Sequence, residues 1–328
     1  MPQSPFAPLA IGASVVLIVG LGVAGGIALA NPADCEPFYE PGRASSLVTV
    51  SEGQDALPDV RFPTPLKTTG REVSVVTEGS GTPSVVGGSV DFDATAYLGS
   101  TGQFLDATSY EPRNPTRRVV DPDSAGFFSN VLDCVRPGST LVVTTTVEDL
   151  FGTITEDQLV QNDSTVVVVI DVRDTYPAKA EGSSRLPQSG MPTVVLAADG
   201  THGVSFPNAP APTDLRVSVL KKGDGNAIQE GDFVTTHFTG LTWNTQQIFI
   251  TSFGGGAPLS LIARDSTLSA DGQGVIPGIA QALIGQSVGS QILVSIPPEL
   301  GYPAGLAPAG VPDGATLVYV FDILGAKN

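Results

Sequence analysis

The sequence predicts an α+β protein: two tandem domains, each an antiparallel β-sheet wrapped around one short helix, following an N-terminal hydrophobic segment. The first observation is that the chain repeats itself. Phe62-Pro63 returns as Phe206-Pro207 and Val73-Ser74-Val75 as Val217-Ser218-Val219, while Gly79, Gly81, Gly87, Val90 and Thr95 return as Gly223, Gly225, Gly231, Val234 and Thr239, all 144 positions on. Further along, Leu132, Gly138-Ser139, Glu148, Thr165 and Asp171 return as Leu283, Gly289-Ser290, Glu299, Thr316 and Asp322, now 151 positions on. One loop is therefore longer by seven residues in the second copy. A period this long is a whole domain, not a solenoid unit. The second observation is short β-branched runs broken by glycine and proline, which number 38 and 27 and supply many turns. The third is a single short helical pattern among the strands of each copy, which suits a sheet with one helix packed across it.

The elements follow in order. Leu9 to Ala30 carries no charge and is long enough to cross a bilayer, which takes about 20 residues. It fits a retained anchor, and it also fits a signal peptide cut after Ala28-Leu29-Ala30, which has the small-x-small form. Both readings place the bulk of the chain outside the cytoplasm, membrane-anchored or secreted. Residues 1–30 are assigned to this segment and 31–45 to a linker. The first domain, 46–177, opens with Leu47–Val50 leading to Val60–Phe62. The second, 193–328, opens with Thr193–Leu196 leading to Val204–Phe206. Both pairs end at Phe-Pro, where proline stops ladder pairing, and are expected as extra strands added to each domain. Residues 178–192, with their Gly, Ser and Pro, form the interdomain linker. In the second domain, strands are expected at Arg216–Lys221, Asp232–Gly240, Gln247–Thr251, Leu259–Ile262, Gln291–Ile296 and Thr316–Leu324. A helix is expected at Gly278–Ile284, because Ile279, Leu283 and Ile284 fit a 3.6-residue period and Gly285 supplies a stop. The first domain repeats this from Val73 to Val172, with a weaker helix at Phe127–Cys134.

Composition narrows the chemistry. The net charge is −17 with no basic run, which disfavours nucleic acid, whose affinity rests on phosphate contacts. The acidity suits a solvated surface. In an oxidising compartment the two cysteines, Cys35 and Cys134, are expected to pair, closing a loop of about 100 residues that is worth up to ~4.7 kcal/mol in the chain-entropy model. His202 and His237 stand in different contexts, and His237 reads as a structural strand residue. No Cys/His cluster has metal-ligand spacing and no glycine-rich loop has phosphate-binding form, so neither a metal nor a cofactor is expected.

The second copy carries His237-Phe238-Thr239-Gly240, Val275-Ile276-Pro277-Gly278, Val288-Gly289-Ser290, Ile296-Pro297-Pro298-Glu299-Leu300-Gly301-Tyr302, Val311-Pro312 and Ala315-Thr316-Leu317-Val318. In order and spacing, from Val217 to Leu324, this resembles the FKBP-type peptidyl-prolyl cis-trans isomerases. The first copy resembles a strongly diverged version of the same domain. The resemblance implies a proline-binding pocket with Tyr302, Ile276, Phe249 and Phe238 as catalytic residues, and Leu259, Val275, Ile279, Val311 and Tyr319 binding substrate. The Ile276 N–H and the Tyr302 hydroxyl are the implied donors to substrate carbonyls. Four positions depart from the family pattern. Phe238 stands where tyrosine is usual, Ile250 where aspartate is, Ile279 where an aromatic platform is, and Leu259 where phenylalanine is. In the first copy, Ala94 replaces the tyrosine, Phe151 stands at the Tyr302 position, and Leu105-Asp106 are kept, so no isomerase activity is expected there. The implied function is an extracytoplasmic isomerase that assists the folding of exported, proline-containing polypeptides. The alternative is a non-catalytic peptide-binding module on the same fold.

Overall fold

The structure is a computed structural model that describes residues 40–51, 56–111, 113–121, 123–124, 126–153, 160–197 and 200–328. The hydrophobic segment Leu9–Ala30 and Cys35 lie outside these residues. Among the described residues, no helix is long and apolar enough to cross a membrane.

In the first half, β1 (Thr49–Ser51) and β2 (Asp59–Arg61) form a two-stranded sheet. They precede β3 (Glu72–Thr77), β4 (Ser89–Leu98), β5 (Phe104–Ala107), β6 (Thr116–Val119), α1 (Phe127–Val131), β7 (Thr140–Thr146), α2 (Val147–Phe151) and β8 (Thr165–Tyr176). The main sheet runs β3-β7-β8-β4-β5, with β6 also on β4, and every pairing is antiparallel.

The second half repeats this plan. After β9 (Ser183–Ser184), the strands β10 (Thr193–Leu196) and β11 (His202–Ser205) form the hairpin. Then come β12 (Arg216–Lys222), β13 (Phe233–Thr242), β14 (Ile248–Thr251), β15 (Leu259–Ile262), α3 (Pro277–Leu283), β16 (Gln291–Ile296) and β17 (Leu317–Lys327). The order is β14-β13-β17-β16-β12-β9, with β15 also on β13.

The irregularities repeat as well as the strands. Register shifts at Val75/Thr77, Asp91/Phe92 and Ala96/Tyr97 reappear at Val219/Lys221, Thr235/Thr236 and Gly240/Leu241, again 144 positions on. A β-bulge re-aims the strand beyond it, so both sheets bend at the same places.

Each central strand is buried on both faces, which explains its nearly continuous apolar sequence. In β8, Val166, Val168 and Ile170 face the core under α1, while Val167 and Val169 face a second cluster with Val48, Val50 and Val60 of the β1–β2 region. In β17, Leu317, Tyr319, Phe321 and Ile323 face the α3 side, while Val318 and Val320 meet Val194, Val204 and Phe206. The opening segments, expected as strands added to each domain, thus form separate hairpins laid against the outer face of each sheet. α3 begins on Pro277, which pre-sets the first helical turn, and ends before Gly285 at φ 83°.

The stretch read as interdomain linker supplies β9, whose Ser184 and Ser183 pair with Lys221 and Lys222. Residues 40–45, read as linker, are also packed. Glu40 O accepts from Val73 N–H at 3.1 Å, and the Ala44 and Ser45 N–H groups donate to the Glu72 carboxylate.

The two halves touch through charged and aromatic groups. The Arg117 guanidinium forks onto Asp91 at 2.6 and 2.8 Å, lies over the Tyr176 ring, and reaches across to Pro258 O and the Thr235 hydroxyl. Lys327 pairs with Asp174. Tyr176 also packs against Gly325, where an added Cβ would fall 2.4 Å from the ring.

Candidate active site

Between α3 and the concave face of the second sheet lies a cavity of about 490 Å³. Its aromatic floor comes from alternate residues of β13 and β17. Tyr319 and Phe321 lie parallel at 5.4 Å, and Phe238 tilts against Phe321 at 5.8 Å. Val275, Ile276 and Ile279 form the helix-side wall, and Leu261 and Ile250 come from β15 and β14. Tyr302, Pro303 and Leu306, which follow β16, form the opposite rim, with Leu306 71% exposed.

The close fit depends on Gly240. A Cβ there would come within 2.7 Å of both Ile250 and Tyr319 and 3.0 Å of Phe249, so the bulge at this glycine lets three side chains converge.

Among the described residues, no charged side chain lines the cavity. Its polar equipment is small. The Ile276 N–H, at the cap of α3, donates to no group among the described residues, as expected for one of the first N–H groups of a helix. The Tyr302 hydroxyl lies 3.0 Å from that of Tyr319. Burial first, then the Tyr302 hydroxyl, push the Tyr319 phenol well above its ordinary pKa, which keeps it neutral.

The expected site residues divide into two groups. Phe238, Val275, Ile276, Ile279, Tyr302 and Tyr319 are brought together around the cavity. Phe249 is not in the lining and meets the ring of Tyr319 edge-on at 5.8 Å. Val311 lies in a small neighbouring hollow beyond Tyr302, and Leu259 is 48% exposed, outside the lining. Leu261, two residues on and thus on the same strand face, takes the wall position instead.

Sequence reasoning missed Ser266, Thr267, Gly272 and Gly274, which line the cavity from the loop before α3. Their signal was the seven extra residues of the second copy. Residues 120–126 join β6 to α1, whereas residues 263–276 join β15 to α3. The added length is therefore a cavity wall that the first copy lacks. The first copy also has Ala94 at the Phe238 position, packs Phe128 against Phe92 at 4.8 Å, and leaves Phe151 half exposed at the Tyr302 position.

Both histidines lie away from the cavity, around Asp322 on the outer face. His202 Nε2 is 3.3 Å from Asp322 Oδ2, and Gln291 Nε2 donates to Oδ1 at 2.7 Å. His237 stacks on Phe253 and lies 2.9 Å from the Ser252 hydroxyl. It is structural, as its strand context suggested. Among the described residues, no group of three or more His, Cys, Asp or Glu could hold a metal ion.

Comparisons with known proteins agree with this geometry. The family model for FKBP-type peptidyl-prolyl cis-trans isomerase matches residues 225–324. The FK506-binding protein of Streptomyces anulatus is 34% identical over 122 residues, which are 37% of this chain and 93% of that protein. The peptidyl-prolyl cis-trans isomerase FKBP15-1 of Arabidopsis thaliana is 36% identical over 119 residues, 35% of this chain and 72% of that protein. The three FKBP domains of wheat FKBP73 align over 79% of this chain and 95% of theirs at 16% identity, with a TM-score of 0.33 that is too low to bear on how the halves are arranged. With its pocket walls, helix cap and tyrosine rim all inside the matched residues, this chain belongs to the FKBP-type peptidyl-prolyl cis-trans isomerase family through its second domain.

Proposed function

We propose that the second domain catalyses cis–trans isomerisation of X–Pro bonds in exported polypeptides outside the cytoplasm, and that the first domain binds the client chain or orients the second. The observation that carries this is an uncharged, aromatic-floored cavity with two donors, the Ile276 N–H and the Tyr302 hydroxyl, at its edge. Amide resonance sets a rotational barrier of about 18–20 kcal/mol. A site that binds the twisted amide better than the planar one lowers that barrier. Removing water from the substrate carbonyl takes away hydrogen bonds that favour the polar planar form, and the two donors hold the flanking carbonyls while the bond turns. No nucleophile or metal is needed for such a step. Uncatalysed X–Pro isomerisation takes tens to hundreds of seconds, slow enough to limit folding.

The charge-free segment Leu9–Ala30 supports the location, as anchor or signal peptide. A Cys35–Cys134 disulfide belongs to the same reading and is supported by the absence of free cysteines among the described residues.

The test is the exchange rate of a short Leu-Pro peptide, followed by NMR, with the full-length chain in mild detergent. Acceleration is expected, and Tyr302→Phe is expected to reduce kcat/KM by about 5–10-fold, the worth of one neutral hydrogen bond. Ile250 and Ile279 favour a second reading, a peptide-binding module without catalysis. In that case the natural protein binds the peptide without accelerating its exchange, and Ile250→Asp with Ile279→Trp creates the missing activity.

A further inference from the structure

Tyr319 offers more than a pocket floor. Its ring is 2% exposed, and among the described residues the Tyr302 oxygen is the only hydrogen-bond partner of its hydroxyl. Each hydroxyl has one proton to give and lone pairs to accept with, so the pair has two arrangements. If Tyr302 donates to Tyr319, the Tyr319 proton is left buried without an acceptor, and Tyr302 has no proton to offer a substrate. If Tyr319 donates to Tyr302, the buried donor is satisfied and the Tyr302 proton is free to turn into the cavity. Leaving a buried donor unsatisfied costs about 1–3 kcal/mol, so the second arrangement prevails.

We propose that Tyr319 is a positioning residue: its buried hydroxyl donates to Tyr302 and thereby aims the Tyr302 proton at the substrate carbonyl. This rests on the isomerase reading of the same cavity. The substrate carbonyl then completes a chain of two hydrogen bonds, from Tyr319 to Tyr302 to the carbonyl, in which each bond polarises the next. The arrangement also fits the rest of the site. Phe238 and Ile250 bring no polar group to the cavity, and among the described residues no charged side chain lines it. Among the described residues, Tyr319 is the one side chain that hydrogen-bonds the Tyr302 hydroxyl. Its ring is held by Phe321 in parallel at 5.4 Å and by Phe249 edge-on at 5.8 Å, so the donor is fixed before substrate arrives.

The test is a double-mutant cycle on the full-length chain with Tyr319→Phe, Tyr302→Phe and the double variant, read as peptide kcat/KM and as peptide affinity. Loss of the hydroxyl preserves the ring and its stacking. Tyr319→Phe is expected to lower kcat/KM about 3–10-fold when Tyr302 is present and to change nothing further when Tyr302 is already phenylalanine. The ring Cζ chemical shift of Tyr302, which follows the hydrogen bonding of its oxygen, is expected to move in Tyr319→Phe without any peptide. An equal loss in both backgrounds, or an unmoved Tyr302 signal, overturns the proposal. If the natural chain binds peptide without accelerating exchange, the isomerase reading fails. The affinity cycle and the Tyr302 signal then still decide whether Tyr319 aims the hydroxyl.

Discussion

A single buried ring, His237, gives the second domain a pH dependence that its pocket does not have. Burial is the largest influence and lowers the pKa of His237 to about 4, with Asp322 raising it and His202 and Arg117 lowering it further. An unfolded chain protonates histidine near ~6.5, so between these values the unfolded state binds the extra proton. Stability from this residue is complete above pH ~6.5 and is lost as the pH falls towards about 4. The expected result is that wild type loses about 1–3 kcal/mol more than His237→Gln over that window, measured by urea unfolding at a series of pH values. Equal slopes for the two proteins would exclude His237 as the source. Among the described residues the cavity has no charged lining, so peptide binding is expected to stay nearly constant over the same range.

At the scale of elements, the contact between α3 and β16 shapes the site. A Cβ on Gly278 would fall 2.3 Å from Ile296 Cγ2, so helix and strand lie as close as a glycine allows. Gly278→Ala is expected to destabilise the second domain by about 1–3 kcal/mol through overpacking, read as a lower urea midpoint at unchanged slope. The strands Leu259–Ile262 and Gln291–Ile296 were legible in the sequence to the residue, because turn residues bound short, largely apolar runs. The helix shifted by one residue, from Gly278–Ile284 to Pro277–Leu283, because proline is favoured at a first helical position and sequence periodicity alone does not place it. The short helix α2 and the strand β9 were not legible. One is a five-residue turn capped by the Thr146 side chain, and the other a two-residue pairing whose partner lies far away in sequence. In the site, Phe238, Tyr319 and Ile276 were named through the family resemblance, whereas Phe321, the third ring of the floor, was not. The roles of Leu261 and Leu259 were not separable, since both point to one strand face and only the tertiary position of β15 tells them apart. The four residues of the loop before α3 carry no periodic signal at all.

At the scale of the whole molecule, Arg117 joins the halves. Its side chain is 14% exposed and that of its partner Asp91 only 3%, so removing the cation leaves a buried carboxylate that keeps the Tyr176 hydroxyl but loses its forked ion pair. Arg117→Met is expected to cost about 3–5 kcal/mol and to separate one unfolding transition into two, followed by calorimetry. A single unshifted transition would mean that the contact does not couple the halves. The repeated bulges and the outer hairpins carry a different consequence, one about history. Val50 pairs with Val60 and Val194 with Val204, at the same 144-residue offset as the main sheets. The unit that was duplicated therefore already possessed its hairpin, and the two copies descend from a complete, self-covered ancestor rather than from a bare sheet decorated twice. The wall-forming loop before α3 is where the descendants parted. One copy carries seven residues there that the other lacks, so a difference of length, as much as substitution within the pocket, separates the two halves.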